Sequence, residues 1–179
     1  MGFNLDSMIG AYKDFARGYL FYARITNPVI ALDQNHPYLV NSTTLPTQTI
    51  EAITSNWQGN EYKIGGVSTF AELIISFKCD TGQELRSDFL TWMKKIHDPV
   101  SNVHGKPLEY FGQVDLSQLN SEGRAIMSYS LINAWPSSVG EITLDYGTKE
   151  LSTFDVTFTY QYHIVDNIFG DVKATSVSV

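Results

Sequence analysis

The sequence predicts a mainly β (α+β) domain in which antiparallel strands are flanked by one long helix. Three observations predict this class. Residues 151–165 alternate apolar and polar side chains, which is typical of a strand with one buried face. The 179 residues include 10 Tyr, 10 Phe and 3 Trp, and strands favour aromatic side chains. A single apolar stripe at helical spacing runs along residues 82–97 and predicts the helix.

The length suits one domain over residues 1–179, with a helical segment at 1–17, a β core at 18–165 and a tail at 166–179. The net charge of −7 opposes a protein that grips nucleic acid through its phosphates. Cys79 is the single cysteine, which excludes an intrachain disulfide, and we expect it to be a small buried side chain. The N-terminal residues have no long apolar run, so we expect neither a signal peptide nor a membrane span. We expect the protein to be made in a cytoplasm.

The first half predicts a short helix followed by strands. Leu5, Met8, Ile9 and Tyr12 follow helical spacing. Strands are expected at 19–26, with Tyr19, Phe21, Ala23 and Ile25 on one face, and at 38–43, with a proline-containing loop between them. Residues 47–63 predict a long hairpin that turns at 56–60. Trp57 at this polar tip either folds back onto its own strand or contacts a partner.

The middle of the chain predicts a strand and then the long helix. Residues 69–79 alternate, with Leu73, Ile75 and Phe77 among the residues on one side. Thr81 and Glu84 have the spacing of a capping box, which would begin the helix. The stripe consists of Leu85, Phe89, Trp92, Met93 and Ile96. We expect it to cover a sheet and the helix to stop before Pro99.

The second half predicts strands at 108–116, 122–135, 140–146 and 151–165. In the last of these, Phe154, Val156, Phe158, Tyr160 and Tyr162 face one way, and Thr153, Asp155, Thr157, Thr159 and Gln161 face the other way. The polar side is rich in threonine and poor in charge. At the edge of a sheet in a monomer, a long strand with few charged residues would promote aggregation, because its unpaired backbone groups can pair with other chains. This indicates that the sheet continues into neighbouring subunits.

The candidate groups for chemistry are few. Glu141 and Asp145 would lie on one side of a strand, but about 13 Å apart at roughly 3.3 Å per residue, whereas glycosidase carboxyl pairs lie about 5–9.5 Å apart. His97 and His104 flank a loop and could meet, although exposed loop histidines are the favoured interpretation. No cysteine lies near them, which disfavours a zinc site. We therefore expect no catalytic residue, no metal and no cofactor.

One stretch carries a family resemblance. It reads Trp135-Pro136-x-x-Val139-Gly140-Glu141-x-x-Leu144-Asp145-Tyr146 and is followed by Glu150-Leu151-x-Thr153-Phe154-Asp155-Val156-Thr157. It resembles the C-terminal signature of tail tube proteins from T-even-like contractile-tailed bacteriophages. Asp14-Phe15-Ala16-Arg17 and Thr44-Leu45-Pro46 fit the same order, and the resemblance covers roughly residues 14–162. The loop at 27–37 is longer than is usual in the family, and the tail continues beyond Tyr162.

The resemblance implies two packed antiparallel sheets that form a sandwich or barrel-like core. It also implies hexameric rings, whose inner sheets join into one barrel and which stack into a tube inside a virion assembled in the host cytoplasm. The expected partners are further copies of this chain, the tail sheath, the baseplate, the tail terminator and the tape-measure protein in the lumen. Phage DNA would pass later without sequence-specific binding.

The resemblance and the strand pattern together nominate three sets of residues. The lumen face is expected to be Thr153, Asp155, Thr157, Thr159 and Gln161, or its counterpart Glu72, Ser76 and Lys78. Trp57, Gln58 and Asn60 at the hairpin tip, with Val103 and His104 in the loop 98–107, are expected to stack rings. In the signature, Trp135-Pro136 is interpreted as a packed corner, and Val139, Ile142 and Leu144 as anchors of a return strand. Glu141 and Asp145 would then face solvent, lumen or a neighbour.

Two other functions are compatible with this sequence. The chain could form the inner tube of a phage-derived contractile injection particle that carries effectors. A carbohydrate-binding or carbohydrate-acting β-sandwich is the alternative from another class, and it rests on exposed aromatic residues and scattered acids.

Overall fold

A computed structural model describes residues 16–30, 32, 35–147 and 149–167. The helix predicted near the N-terminus and the tail from residue 168 lie outside the described residues. The strands of the described part are β1 Phe21–Thr26, β2 Val40–Thr43, β3 Gln48–Trp57, β4 Asn60–Phe70, β5 Leu73–Lys78, β6 His97–Asp98, β7 Val103–His104, β8 Gly112–Leu119, β9 Ala125–Val139, β10 Thr153–Thr159 and β11 Tyr162–Asn167. The helices there are a 3-10 helix His36–Leu39, α1 Glu84–Ile96 and α2 Pro107–Tyr110.

The long strand β9 joins two antiparallel sheets. Its residues 125–134 pair with β8, and its residues 135–139 pair with β10. Sheet A therefore consists of β1, β8, the first part of β9 and β11, and sheet B of the last part of β9, β10, β5 and β2. The two sheets pack face to face, which confirms the predicted sandwich or barrel-like core.

A bulge marks the place where β9 passes from one sheet to the other. Ala134 pairs with Gly112 and Ile132 with Gln113, so Asn133 is an extra residue opposite β8. Asn133 has a φ of 55°, a left-handed conformation that asparagine tolerates better than most residues. Bulges bend a strand and increase its twist, which lets one strand serve both sheets.

The strand predicted at 151–165 is in fact two strands. β10 pairs with β5 and β9 in sheet B, whereas β11 pairs with the first part of β9 in sheet A. The chain crosses between the sheets at Tyr160 and Gln161. Tyr160 is buried, but Tyr162 is 43% exposed and does not continue the apolar row. The alternation continues through the crossing, so the pattern alone could not reveal it.

The core lies between the sheets and under α1. Its buried residues are Ala23, Ile25, Leu73, Ile75, Phe77, Leu85, Phe89, Trp92, Val114, Leu116, Leu131, Ala134, Phe154, Val156, Phe158 and Tyr160. The Phe89 ring lies 5.3 Å from the Phe77 ring and 5.9 Å from the Phe158 ring, measured between centroids. The predicted helical stripe is confirmed by Leu85, Phe89 and Trp92, which are buried.

The start of α1 differs from the prediction. The N-cap is Gln83, with a φ of 51° and no capping hydrogen bond from its side chain, so the capping box of Thr81 and Glu84 is wrong. The Asp80 carboxylate instead accepts a hydrogen bond from the Glu84 N–H at 3.4 Å. The left-handed residue turns the chain into the helix two residues later than the sequence pattern indicated.

Three predicted strands are also corrected. Residues 140–146 form no strand in the described part, because the last bond to β10 joins the Gly140 N–H to the Asp155 carbonyl and the chain then leaves the sheet. The predicted strands at 38–43 and 108–116 each begin as a short helix. Pro37 and Pro107 lie in the first turns, where proline is favoured.

Candidate assembly surfaces

The hairpin of β3 and β4 extends away from the core. The predicted turn is confirmed at Gln58 and Gly59, whose φ values of 49° and 84° are left-handed. Every residue from Gln48 to Gly65 is exposed. Ten residues of extended strand span about 33 Å, and an isolated two-stranded ribbon is marginally stable in water. The exposure therefore makes this ribbon a candidate contact surface.

One face of the hairpin is apolar. Ile53 lies opposite Ile64, and Tyr62 lies two positions from Ile64 on the same face. Trp57 continues this face at the tip and is 74% exposed, so it does not fold back onto its own strand. The other face is polar, and Lys63 Nζ lies 3.3 Å from Glu61 Oε1 on it.

The base of the hairpin is fixed to the core by an aromatic cluster. The Phe70 ring lies 5.3 Å from the His163 ring and 6.1 Å from the Tyr160 ring, between centroids. Burial raises the pKa of the Tyr160 phenol and lowers the pKa of the His163 imidazole. Sequence reasoning did not group these three residues, because Phe70 lies in β4, His163 in β11 and Tyr160 in the crossing between the sheets.

The outer face of sheet B brings the two alternative lumen sets together. Thr153 pairs with Lys78 and Asp155 with Ser76, so these side chains share one face. Thr159 Oγ1 donates a hydrogen bond to Glu72 Oε1 at 3.0 Å. The buried side chains of the same strands point the opposite way, into the core. The two sets are therefore neighbours on one surface.

Gln161 does not belong to this face by strand pairing. It lies in the crossing between the sheets, where its Oε1 accepts a hydrogen bond from Asn133 Nδ2 at 2.7 Å. Ile74, which sequence reasoning omitted, pairs with Thr157 on this face and is 51% exposed. The alternation of residues 73–78 contains the signal that would have placed it there.

Sheet A has a polar outer face that sequence reasoning also missed. Asp115 Oδ1 accepts hydrogen bonds from Gln113 Nε2 and from Ser130 Oγ, both at 2.7 Å. Tyr22 and Ile164, 43% and 46% exposed, stand on this face at its two edges. The polar strip is thus narrow and bordered by apolar side chains.

The loop after α1 brings two histidines together. The rings of His97 and His104 stack with centroids 4.4 Å apart, so the two histidines do meet, while His104 is exposed as expected. β6 and β7 pair these residues directly across a short turn. A side-chain hydrogen bond from Ser101 and a backbone one from Val100 lower the pKa of Asp98 in this turn. Val103, nominated with His104 for ring stacking, is 61% exposed.

The signature residues divide into a packed part and an exposed part. Pro136 is fully buried, Phe154 is 2% exposed, and Trp135 and Val139 pack against the core. Gly140 lies against β10, and Arg86 Nη2 donates to its carbonyl at 3.2 Å. Leu144 is 83% exposed and is therefore no anchor, whereas Ile142 does pack against the core. Glu141 and Asp145 are both exposed on a loop instead of a strand.

Across the described residues, no three His, Cys, Asp or Glu side chains lie close enough to share a metal ion. The same part of the chain contains no helix that is long and apolar enough to cross a membrane.

The sequence matches a family of known proteins over most of its length. The model of the phage tail tube protein family matches residues 20–166. This chain belongs to the phage tail tube protein family. The tail tube protein of Serratia phage KSP90 is 28% identical over 116 residues, which are 64% of this chain and 66% of that relative, just under two thirds of its length.

Solved structures share the fold of this tail tube family member at low sequence identity. A chain of the sheath–tube complex of the extracellular contractile injection system PVC, in its extended state, superposes with a TM-score of 0.66 and 17% identity, over 93% of this chain and 100% of that one. A chain of the anti-feeding prophage baseplate gives a TM-score of 0.67 and 13% identity, over 88% and 99%. The fold is thus shared with a chain of the PVC sheath–tube complex and a chain of the anti-feeding prophage baseplate.

Proposed function

We propose that this chain is a structural subunit that assembles into hexameric rings, and that the rings stack into the inner tail tube through which phage DNA is ejected. The observation that carries the proposal is the hairpin of β3 and β4, which leaves Ile53, Trp57, Tyr62 and Ile64 uncovered in a single chain. Membership of a tail tube family makes further copies of the chain the natural cover. The chain has no proposed catalytic role.

Assembly into rings accounts for the open sheet edges. β2 pairs only with β5, and β11 only with β9, among the described strands. Free edges of this kind template pairing with other chains, and a closed ring removes them. A head-to-tail contact between rings repeats without closing and therefore yields a filament.

The outer face of sheet B is the proposed wall of the lumen. It is rich in threonine, includes the exposed Ile74, and among the described residues carries Asp155 and Glu72 with one lysine, Lys78. The corresponding face of sheet A is bordered by exposed apolar side chains, which suit a protein contact better than a channel. A wall with excess acid in a subunit of net charge −7 repels DNA instead of capturing it.

The proposed stacking contact joins the hairpin tip, residues 57–60, to the loop with Val103 and His104 of the adjacent ring. Both are exposed and carry apolar side chains. The sheath, the baseplate and the tail terminator are the proposed partners outside the tube, and the tape-measure protein is the proposed partner in the lumen. The site of action is the virion, assembled in the host cytoplasm.

Negative-stain electron microscopy of the purified protein tests the proposal. We expect rings or long hollow tubes, and protein that stays monomeric at high concentration would contradict it. The fold match to PVC and anti-feeding prophage chains favours a second candidate, the inner tube of an injection particle. Deleting the gene distinguishes the two, because a phage then loses infectious tailed virions, whereas a particle-producing cell loses effector delivery only.

A further inference from the structure

The short hairpin of β6 and β7 places two imidazoles side by side. It pairs His97 directly with His104, and their rings stack with centroids 4.4 Å apart. The Gly105 N–H donates a hydrogen bond to the Ile96 carbonyl at 3.0 Å, so the neighbouring pair is a hydrogen-bonded one. The two kinds of pair alternate along an antiparallel ladder. His97 and His104 therefore form a pair of the other kind, in which side chains on opposite strands lie closest.

This hairpin is fixed at the C-terminal end of α1. His97 is the C-cap of the helix, and its N–H donates a hydrogen bond to the Met93 carbonyl. A Cβ at Gly105 would overlap the Lys95 carbonyl oxygen, so the close return of the chain over the helix end requires glycine. The helix dipole favours positive charge at this end. The fold thus holds the two imidazoles at a place that suits a cation.

A side-chain amide in the turn supplies a third donor atom. Asn102 has a left-handed φ of 55°, and its N–H donates a hydrogen bond to the Asp98 carbonyl at 2.8 Å. This turn brings Asn102 Oδ1 to 3.3 Å from His97 Nε2. An ordinary hydrogen bond to nitrogen is about 2.9–3.0 Å long, whereas two donors that each lie about 2.1 Å from one metal ion are about 3.0–3.4 Å apart. The two atoms therefore have the spacing of neighbouring ligands of one cation.

The charged groups around the hairpin balance one another. Lys94 and Lys95 lie in the last turn of α1. Lys95 Nζ lies 3.6 Å from Glu109 Oε2, and Lys94 lies within electrostatic range of Asp98. Two positive and two negative side chains thus flank the imidazoles in the described part of the chain. A divalent cation meets no net positive charge there.

The donor atoms are open to solvent. Asn102 and His104 are exposed and His97 is half-buried. His104 also lines a surface groove of about 480 Å³. The two ring planes are inclined by 30°, so their nitrogen lone pairs do not yet converge. Exposed side chains change rotamer within picoseconds to nanoseconds, and such a rotation of His104 directs a ring nitrogen to the point between His97 Nε2 and Asn102 Oδ1.

We propose that His97 Nε2, Asn102 Oδ1 and a ring nitrogen of His104 form a surface site for a divalent transition-metal cation of the class that imidazole prefers, such as Zn²⁺, Ni²⁺ or Cu²⁺. Water completes the coordination. In the tautomer of His97 that donates to Asn102, the cation replaces the proton on Nε2, and Nδ1 takes up a proton from water, so the ring stays neutral. The third ligand is an amide, so the site agrees with the absence of three clustered His, Cys, Asp or Glu side chains in the described part. The site lies within one chain and is independent of the proposed tube assembly.

Equilibrium dialysis of the full chain, without an affinity tag, tests the site in any state of assembly. The protein carries Cys79→Ala, because a thiol is the other side chain that binds these ions. We expect about one Zn²⁺ or Ni²⁺ per chain, and no binding of Mg²⁺ at the same concentration, because Mg²⁺ prefers oxygen ligands. Protein that binds neither Zn²⁺ nor Ni²⁺ would overturn the site and leave the proposed tube function untouched. Protein that binds them but never forms rings would overturn the tube function alone.

His104→Ala assigns the bound ion to the hairpin. It should lower the affinity for Ni²⁺ by at least about tenfold, because the loss of even an outer-shell partner of a metal site costs about 10–100-fold. Its thermal midpoint without metal should equal that of the parent, because His104 is exposed. His163→Gln is the matched control, since it removes an imidazole from β11 and should leave the affinity unchanged. Equal affinities of the parent and His104→Ala would overturn the site.

Two further measurements test the ligand set itself. Asn102→Asp replaces the amide oxygen by a carboxylate, and aspartate also tolerates the left-handed backbone at this position. It should raise the affinity for Zn²⁺, and an unchanged or lower affinity would overturn the three-ligand site. Electron paramagnetic resonance of Cu²⁺-loaded protein needs no variant beyond Cys79→Ala. We expect hyperfine splitting from two imidazole nitrogens, and splitting from a single nitrogen would overturn the pairing of His97 with His104.

Discussion

The hydroxyl of Thr159 donates a hydrogen bond to Glu72 Oε1 at 3.0 Å, which places β10 and the residue before β5 on one outer surface. This surface also holds Asp155, which is exposed and pairs with Ser76 across the strands. Because the residues lie on the outer face of sheet B, changes there leave the core untouched. The proposed lumen wall can thus be altered in charge without loss of the fold.

Asp155→Lys should slow DNA release and leave tube assembly intact. The lysine attracts DNA phosphates in each subunit of a lumen where the wild-type residue repels them. Release is measured by the rate of dye uptake into ejected DNA, and assembly by electron microscopy. Glu122→Lys, the same charge change at the exposed turn between β8 and β9, is the control. Failure of assembly in Asp155→Lys alone would show that this face is a subunit interface.

Trp57→Ala should give isolated rings instead of tubes. The side chain is 74% exposed at the hairpin tip, so its removal leaves the monomer fold unchanged, whereas an aromatic anchor is lost at the proposed ring contact. Sedimentation and electron microscopy distinguish rings from tubes. Tyr38→Ala, at an aromatic residue that is 79% exposed on the 3-10 helix, should assemble normally. Tubes of normal length from Trp57→Ala would remove the tip from the contact.

Gly66→Ala should impair assembly while the core stays stable. A Cβ at Gly66 would lie 2.8 Å from the Glu51 carbonyl and 3.0 Å from the Ile53 side chain, so the hairpin must distort where its register shifts. The matched control is Gly65→Ala, whose Cβ would have its nearest neighbour, an Ile50 methyl, at 3.8 Å. Thermal unfolding and ring yield are compared for both variants. Equal ring yields would show that the hairpin shape does not matter.

The sequence pattern correctly predicted those elements whose regularly spaced apolar residues pack into the core of the same chain. The stripe of α1 and the buried row of β10 are confirmed, because Phe89, Phe154 and Phe158 face one core at regular spacing. The alternation at Glu141–Tyr146 is as regular, yet no strand forms there. Regular alternation indicates that one face of a strand becomes buried. It does not indicate whether the same chain or a neighbouring chain buries that face.

The remaining differences between the predicted and the observed elements depend on pairing and backbone conformations that the sequence pattern does not show. The strand predicted at 151–165 divides at Tyr160 and Gln161 because its two halves pair in different sheets. The alternation of side chains is the same on both sides of this crossing, so it does not show the division. The stacked His97 and His104 are brought together by a two-residue pairing that has no propensity signal. The start of α1 depends on a left-handed Gln83, a conformation that glutamine rarely adopts.

Phe89→Ala should lower the free energy of unfolding by about 3–5 kcal/mol, the usual cost of removing a buried aromatic side chain. Phe89 is fully buried and its ring packs against those of Phe77, Phe154 and Phe158. Leu90→Ala, one residue further along α1 at a side chain 43% exposed, should cost far less. Chemical denaturation of dilute monomer gives both values, and similar losses would contradict this assignment of the core.

His163 should make the protein less stable in mild acid. Burial holds the pKa of the folded imidazole below its ordinary value of 6.5, and its Nδ1 has no hydrogen-bond partner among the described residues. As the pH falls through about 6.5, the unfolded chain binds a proton that the folded chain resists, so the free energy of unfolding decreases until the folded pKa is passed. His163→Gln should flatten this dependence, and His104→Gln, at an exposed position, should retain it. Equal slopes in wild type and His163→Gln, measured by denaturation between about pH 5 and 7, would assign the acid sensitivity to another group.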